Sequence, residues 1–125
     1  MSRIFLAIAA IFGALSVGAG AFATHALRER LSERSLEIFE TAARYQMYHA
    51  LALILVALLI SREEFTQPLF VVAGWSFIIG ILIFSGSLYA LSLTNVKVLG
   101  AITPLGGAAF IAGWSALAIA AFSFK

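Results

Sequence analysis

The chain has 125 residues, 62% of them hydrophobic and 11% charged, with a formal net charge of +2. A soluble domain is about 45–50% apolar and about 25% charged, and the few charged residues here, 8 Lys+Arg and 6 Asp+Glu, are mostly gathered in one segment and cannot cover a water-facing surface of this size. Half of the basic residues alternate with Glu, which argues against a nucleic-acid partner, and the lack of Cys excludes disulfides, thiolate catalysis and Cys-based zinc or iron–sulfur sites.

Lipid as solvent removes the difficulty, and a mean hydropathy of +1.04 agrees with it. Residues 4–23 are uncharged and apolar or small. About 20 such residues span a hydrocarbon core of about 30 Å. Small residues recur at Ala10, Ala14 and Gly18, with Gly13 and Gly20 nearby, a spacing that lets another helix approach closely. Arg3, the run IFLAIAAIF and Ala21-Phe22-Ala23 also fit a secretory signal with an A-x-A cleavage site, which would leave three spans. The length of the stretch and its Gly/Ala spacing favour a retained helix.

Residues 24–43 form the one charged segment, with Arg28, Glu29, Arg30, Glu33, Arg34, Glu37 and Glu40 running up to Arg44. Leu27 and Leu31 share one helical face, and Ile38 and Ala42 another, so an amphipathic stretch lying at the interface is expected. Ser32 suits an N-cap, with Glu33 in the first turn. Glu40 precedes Arg44 by four, the favourable order for an ion pair or a joint contact to lipid phosphate. From Ser35 to Ile60 there is no Gly or Pro, so the helix is expected to continue into a second span over 44–60.

Residues 61–68, SREEFTQP, read as a short turn joining antiparallel neighbours. The third span covers 69–93, about 37 Å as a helix, with Trp75 and Tyr89 at its ends as interfacial aromatics. Thr103-Pro104 reads as an N-cap followed by proline at the first helical position, which gives a fourth span over 104–122; one longer helix kinked at Pro104 is the alternative. Ala108, Ala112, Ala116 and Ala120 make a small-residue stripe expected to contact another helix tightly. Arg28, Arg30, Arg34, Arg44 and Lys97 on one side outnumber Arg3, Arg62 and Lys125 on the other, which favours a cytoplasmic 24–44 segment.

Four short stretches are distinctive. Gly20-Ala21-Phe22 with His25-Ala26-Leu27, Tyr45-Gln46-Met47-Tyr48-His49-Ala50-Leu51, Phe84-Ser85-Gly86-Ser87-Leu88-Tyr89, and Ile102-Thr103-Pro104-Leu105-Gly106-Gly107 resemble, in order and spacing, the signatures of the family called domain of unknown function 423. That bacterial group of small membrane proteins is similar to eukaryotic transmembrane protein 256. Ala23-Thr24 departs from the family pattern, where Gly and Ala are expected. The resemblance implies a four-helix membrane protein with its first helix retained, and it implies no reaction.

Few residues are suited to chemistry. At about 100° per residue, Ala42, Tyr45, Gln46 and His49 share one face of the second span. An amide or imidazole at membrane depth turns toward the bundle interior or a partner. A polar pocket built from Tyr45, Gln46 and His49 and closed by His25 is therefore weighed against plain hydrogen bonding to a neighbouring helix. Two His without a carboxylate at the same depth fall short of a three-ligand metal site, so no metal or other cofactor is expected. The chain contains no Asp to complete a Ser-His-Asp set around Ser85 or Ser87. No Glu lies in any span, which argues against an exchanger built on a membrane-embedded carboxylate.

The expectation is an all-α membrane protein of one domain, 1–125: a four-helix transmembrane bundle with an amphipathic interfacial segment between helices 1 and 2. The packing residues expected are Gly13, Ala14, Gly18, Ala108, Ala112 and Ala116. The partners expected are the lipid bilayer of the cell (inner or plasma) membrane, crossed several times, and other membrane proteins or further copies of the chain, with no nucleic acid. Two function classes stand open: a structural or assembly component of a membrane complex, and a small oligomeric transporter or channel using a site near Gln46 and His49.

Overall fold

The structure is a computed structural model and describes residues 1–62 and 67–124. Lys125 and the centre of the expected 61–68 turn lie outside the described residues. Helix α1 spans Ser2–Phe22 and runs on through a π turn at Ala23–Leu27. The chain then turns over 28–32 and enters α2, Glu33–Arg62. Helix α3, Pro68–Gly80, continues through a second π turn, Ile81–Ser85, into α4, Gly86–Thr94. Helix α5 is Leu99–Ala121. Among the described residues four helices are long and apolar enough to cross a membrane, Ser2–Leu27, Glu33–Arg62, Pro68–Thr94 and Leu99–Ala121.

The charged segment 24–43 is divided by the structure. Its first residues finish the α1 helix, 28–32 form the turn, and 33–43 are the opening turns of α2. Ser32 Oγ accepts a hydrogen bond from the Ser35 backbone N–H at 3.1 Å, so it caps α2 as its side chain allows. With no helix breaker behind it, α2 runs 30 residues, about 45 Å against a hydrocarbon core of about 30 Å. Its charged N-terminal turns stand beyond its apolar stretch. Leu27 and Phe39 are buried together with Ala23, and Tyr89 packs on them. The apolar residues of the segment are thus used partly inside the protein.

Of the two boundaries between the third and fourth spans, one differs from expectation. Pro104 is not the start of the last helix but lies inside α5, five residues after Leu99. The first turn of α5 is wound more tightly, with Leu99, Gly100 and Ala101 N–H bonded to the carbonyls of Val96, Lys97 and Val98. Thr103 is no N-cap: its Oγ1 returns to Leu99 O at 3.3 Å and meets Ser87 Oγ at 2.6 Å. The proline withholds a helical donor from the Gly100 carbonyl, a loss that membrane helices tolerate. At the other boundary α4 ends on Asn95, which adopts the left-handed conformation (φ 59) and bonds its N–H to Leu91 O at 2.8 Å. This is the αL stop for which Asn is suited.

Helix α2 packs on α1 along one side and on α3 and α4 along another, while α5 lies against α3, the second π turn and α4. Because lipid offers no hydrophobic drive between helices, close packing and hydrogen bonds must hold them. Aromatic rings fill glycine gaps. A Cβ on Gly113 would collide with the Phe77 ring, and one on Gly106 with the backbone of Phe84. Phe5, Phe70, Phe77, Leu53 and Val56 are among the largest fully buried side chains.

The small-residue expectation needs correction. The inward face of α5 is Gly106, Phe110, Gly113, Ala116 and Ala120, whereas Ala108 and Ala112 face outward. Ala14 and Gly18 are also exposed on α1, Gly13 is half-buried, and a Cβ on Gly13 or Gly18 would meet nothing within 4 Å. Gly106 packs on the third helix and not on the Ala/Gly face of α1. Four-residue spacing marks a stripe but does not say which stripe turns inward. Phe110 decides it, because its ring needs the gap at Gly80.

Candidate functional site

Polar side chains inside the bundle converge on α2. Ser16 Oγ of α1 donates to Ala43 O at 2.6 Å, and Ser85 Oγ of the second π turn donates to Ala42 O at 2.8 Å. One turn further along, Gln46 joins three helices. Its Nε2 donates to Phe12 O of α1 at 2.8 Å, and its Oε1 accepts from the Tyr89 hydroxyl of α4 at 2.7 Å. Gln46 is buried, 4% exposed. A buried amide must find protein partners at both ends.

His49 stands one turn beyond, also buried. Its Nε2 lies 3.0 Å from Trp114 Nε1 of α5, and its Nδ1 lies 2.7 Å from Tyr45 O. An indole N–H only donates, so Nε2 is the acceptor and the ring proton sits on Nδ1, donated to the Tyr45 carbonyl. The two partners fix one neutral tautomer. The imidazole stacks on Phe110 with centroids 3.5 Å apart and planes 9° from parallel. Trp114 in turn meets Phe77 edge-on at 5.1 Å.

The expected pocket residues therefore separate. Gln46 and His49 do share the buried face, but Gln46 reaches toward α1 and α4, and His49 toward α5. Tyr45 is exposed; its ring packs on Phe84 at 4.9 Å and lies near-parallel to the His49 ring at 6.3 Å, while its main-chain carbonyl holds His49 Nδ1. His25 is exposed on the first π turn and joins none of these bonds. Among the described residues no buried side-chain nitrogen or oxygen lacks a partner. The Glu40–Arg44 pair is also not formed. Arg44 Nη2 instead reaches Thr41 Oγ1 at 3.4 Å, and the one ion pair among the described residues is Arg34–Glu37 at 3.4 Å. On an exposed helix face such pairs gain little, so the choice of partner is weakly held.

Tyr89 and Trp114 were not legible as partners. Tyr89 reads as an interfacial anchor, yet it turns its hydroxyl inward to Gln46. Trp114 stands beside Ser115, but nothing in the sequence links it to His49. Ser16, a lone hydroxyl within an apolar helix, is the one cue that was present.

Chemically the arrangement is closed. His49 has both nitrogens engaged, and Ser85 Oγ is committed to a carbonyl. Among the described residues no base, nucleophile and orienting group stand together as acyl transfer requires.

A family model described as "Protein of unknown function (DUF423)" matches residues 19–107. The UPF0382 membrane protein YwdK of Bacillus subtilis (strain 168) is 43% identical over 122 residues, covering 98% of either chain. A UPF0382 membrane protein of Staphylococcus epidermidis (strain ATCC 12228 / FDA PCI 1200) is similar to the same degree and over the same share. No solved structure matches. The motifs around Gln46 and His49, the four long apolar helices and these relatives agree: the chain is a membrane protein and belongs to the DUF423 family.

Proposed function

We infer that this protein is a structural or assembly component of a larger membrane complex, crossing the cell membrane four times with the 24–44 segment on the cytoplasmic side. The observation that carries the reading is the closed interior: the deep polar groups are spent on holding the helices to one another, which leaves the outer surface to meet partners. That surface includes small residues at Ala14, Gly18, Ala108 and Ala112, the kind that permit close approach of a second helix. The transport reading rests on a site at Gln46 and His49, and the engagement of all four of their polar side-chain atoms weighs against it.

The test is recovery of the tagged chain from native membranes in mild detergent. The expected result is a defined partner that is lost in Ala112→Leu, a substitution on the outward face that leaves the bundle intact. Recovery of the isolated bundle alone, or a partner indifferent to Ala112→Leu, would overturn the reading.

A further inference from the structure

The start of α2 and the turn between α4 and α5 enclose a cleft of ≈ 310 Å³. Arg34 and Lys97 supply its charge, Ser32 and Asn95 its neutral polar groups, and Ile38 and Leu91 its apolar floor. Its walls come from segments far apart in sequence and are tied together where Ser35 Oγ donates to Asn95 Oδ1 at 3.3 Å. That bond uses the oxygen of the Asn95 amide, and among the described residues nothing takes up its Nδ2 hydrogens. Among the described residues no carboxylate lines the cleft. Lys97 forms no ion pair among the described residues, and Arg34 holds only Glu37, at 3.4 Å and with both side chains well exposed.

The location narrows the ligand. The cleft opens beside the turns of α2 that precede its apolar stretch, and beside the end of α4, so it sits at the boundary between hydrocarbon and water. We propose that this cleft binds the phosphate headgroup of an anionic phospholipid, with Arg34 and Lys97 on the phosphate and the first carbons of the lipid over Ile38 and Leu91. A phosphodiester offers acceptors only, matching two cations, an amide NH₂ and a hydroxyl. The apolar floor suits an amphiphile, and basic clusters at a membrane surface favour lipids of net negative charge.

The test uses the full-length protein, stripped of lipid in mild detergent and titrated with dioleoyl-phosphatidylglycerol, dioleoyl-phosphatidylcholine or inorganic phosphate, with bound molecules counted by native mass spectrometry. Phosphatidylglycerol is expected to bind at least about tenfold more tightly than phosphatidylcholine, and R34Q/K97Q to weaken it by about 25-fold, roughly fivefold for each charge. The control R28Q/R30Q removes the same charge from the neighbouring turn and is expected to change binding by less than about threefold. Equal binding of the two lipids, or equal losses in the two double variants, overturns the proposal. Inorganic phosphate binding as tightly as phosphatidylglycerol overturns the lipid as the source of the phosphate. If R34Q/K97Q loses its helical circular dichroism, Lys97→Gln alone, on the exposed turn, carries the test with about a fivefold loss.

Discussion

Trp114 donates its indole N–H to His49 Nε2 at 3.0 Å, joining α5 to α2 across 65 residues of chain. The bond settles the tautomer of His49 and the rotamer of Trp114 at once. Removing the donor while keeping an aromatic ring isolates it. In Trp114→Phe, nitrogen NMR of labelled histidine is expected to show the His49 ring losing its single well-defined Nδ1–H form. Stability in detergent is expected to fall by about 1–3 kcal/mol, the cost of an orphaned buried acceptor. A wild-type spectrum showing the proton on Nε2 would contradict the assignment.

Gln46 and Tyr89 form a second, separable pair. Tyr89→Phe leaves Gln46 Oε1 without its donor, Gln46→Ala leaves the Tyr89 hydroxyl without its acceptor and takes from the helical Phe12 carbonyl its second donor, and the double variant tests whether the two act together. A double-mutant cycle on unfolding is expected to return a coupling of about 0.6–1.7 kcal/mol, the range for hydrogen bonds between membrane helices. A coupling of zero would mean that the 2.7 Å contact contributes nothing.

Glycine positions divide into two kinds that sequence treats alike. Gly106→Ala drives a methyl into the Phe84 backbone, which cannot swing aside as a side chain would. A loss of about 1–3 kcal/mol is expected, as for overpacked cores. Gly18→Ala meets open space and is expected to stay within about 0.5 kcal/mol of the parent. Thermal unfolding of the two variants side by side decides this; equal losses would remove the distinction.

Pro104 gives a prediction with a sign. Its ring is exposed, and the helix continues on both sides of it. Pro104→Ala returns a backbone N–H to the carbonyl of Gly100, so stability is expected to be unchanged or raised by about 1 kcal/mol, less than the full cost of an interior proline because membrane helices tolerate the loss. A loss of more than about 1 kcal/mol would fit a proline that had been helping to start the helix.

The four long helices were legible because uninterrupted apolar runs of this length have one use in a lipid solvent. The Gln46/His49 face was legible for the same kind of reason: two polar residues three apart on a helix must look the same way. Their partners were not. Tyr89 lies 43 residues from Gln46 and Trp114 65 from His49, and which helix meets which is decided by packing. The alanine stripe divides on the same ground, Ala116 and Ala120 turning inward and Ala108 and Ala112 outward. Ala108 and Ala112 are spaced as well as Gly106 and Gly113, but only the latter face the rings of α3 and the second π turn.

A ribosome makes α1 before α2 and α2 before the later helices, and that order gives the α2 bonds a schedule. When α1 and α2 first enter the bilayer, Ser16 and Gln46 can already reach Ala43 and Phe12. The amide oxygen of Gln46 has no donor until residue 89 has been synthesised, and the imidazole of His49 has none until residue 114. The half-built molecule therefore carries an unquenched polar face through most of its synthesis. A chain truncated before Trp114 should be handled by quality control as an unfinished product, although three of its four helices are already in place.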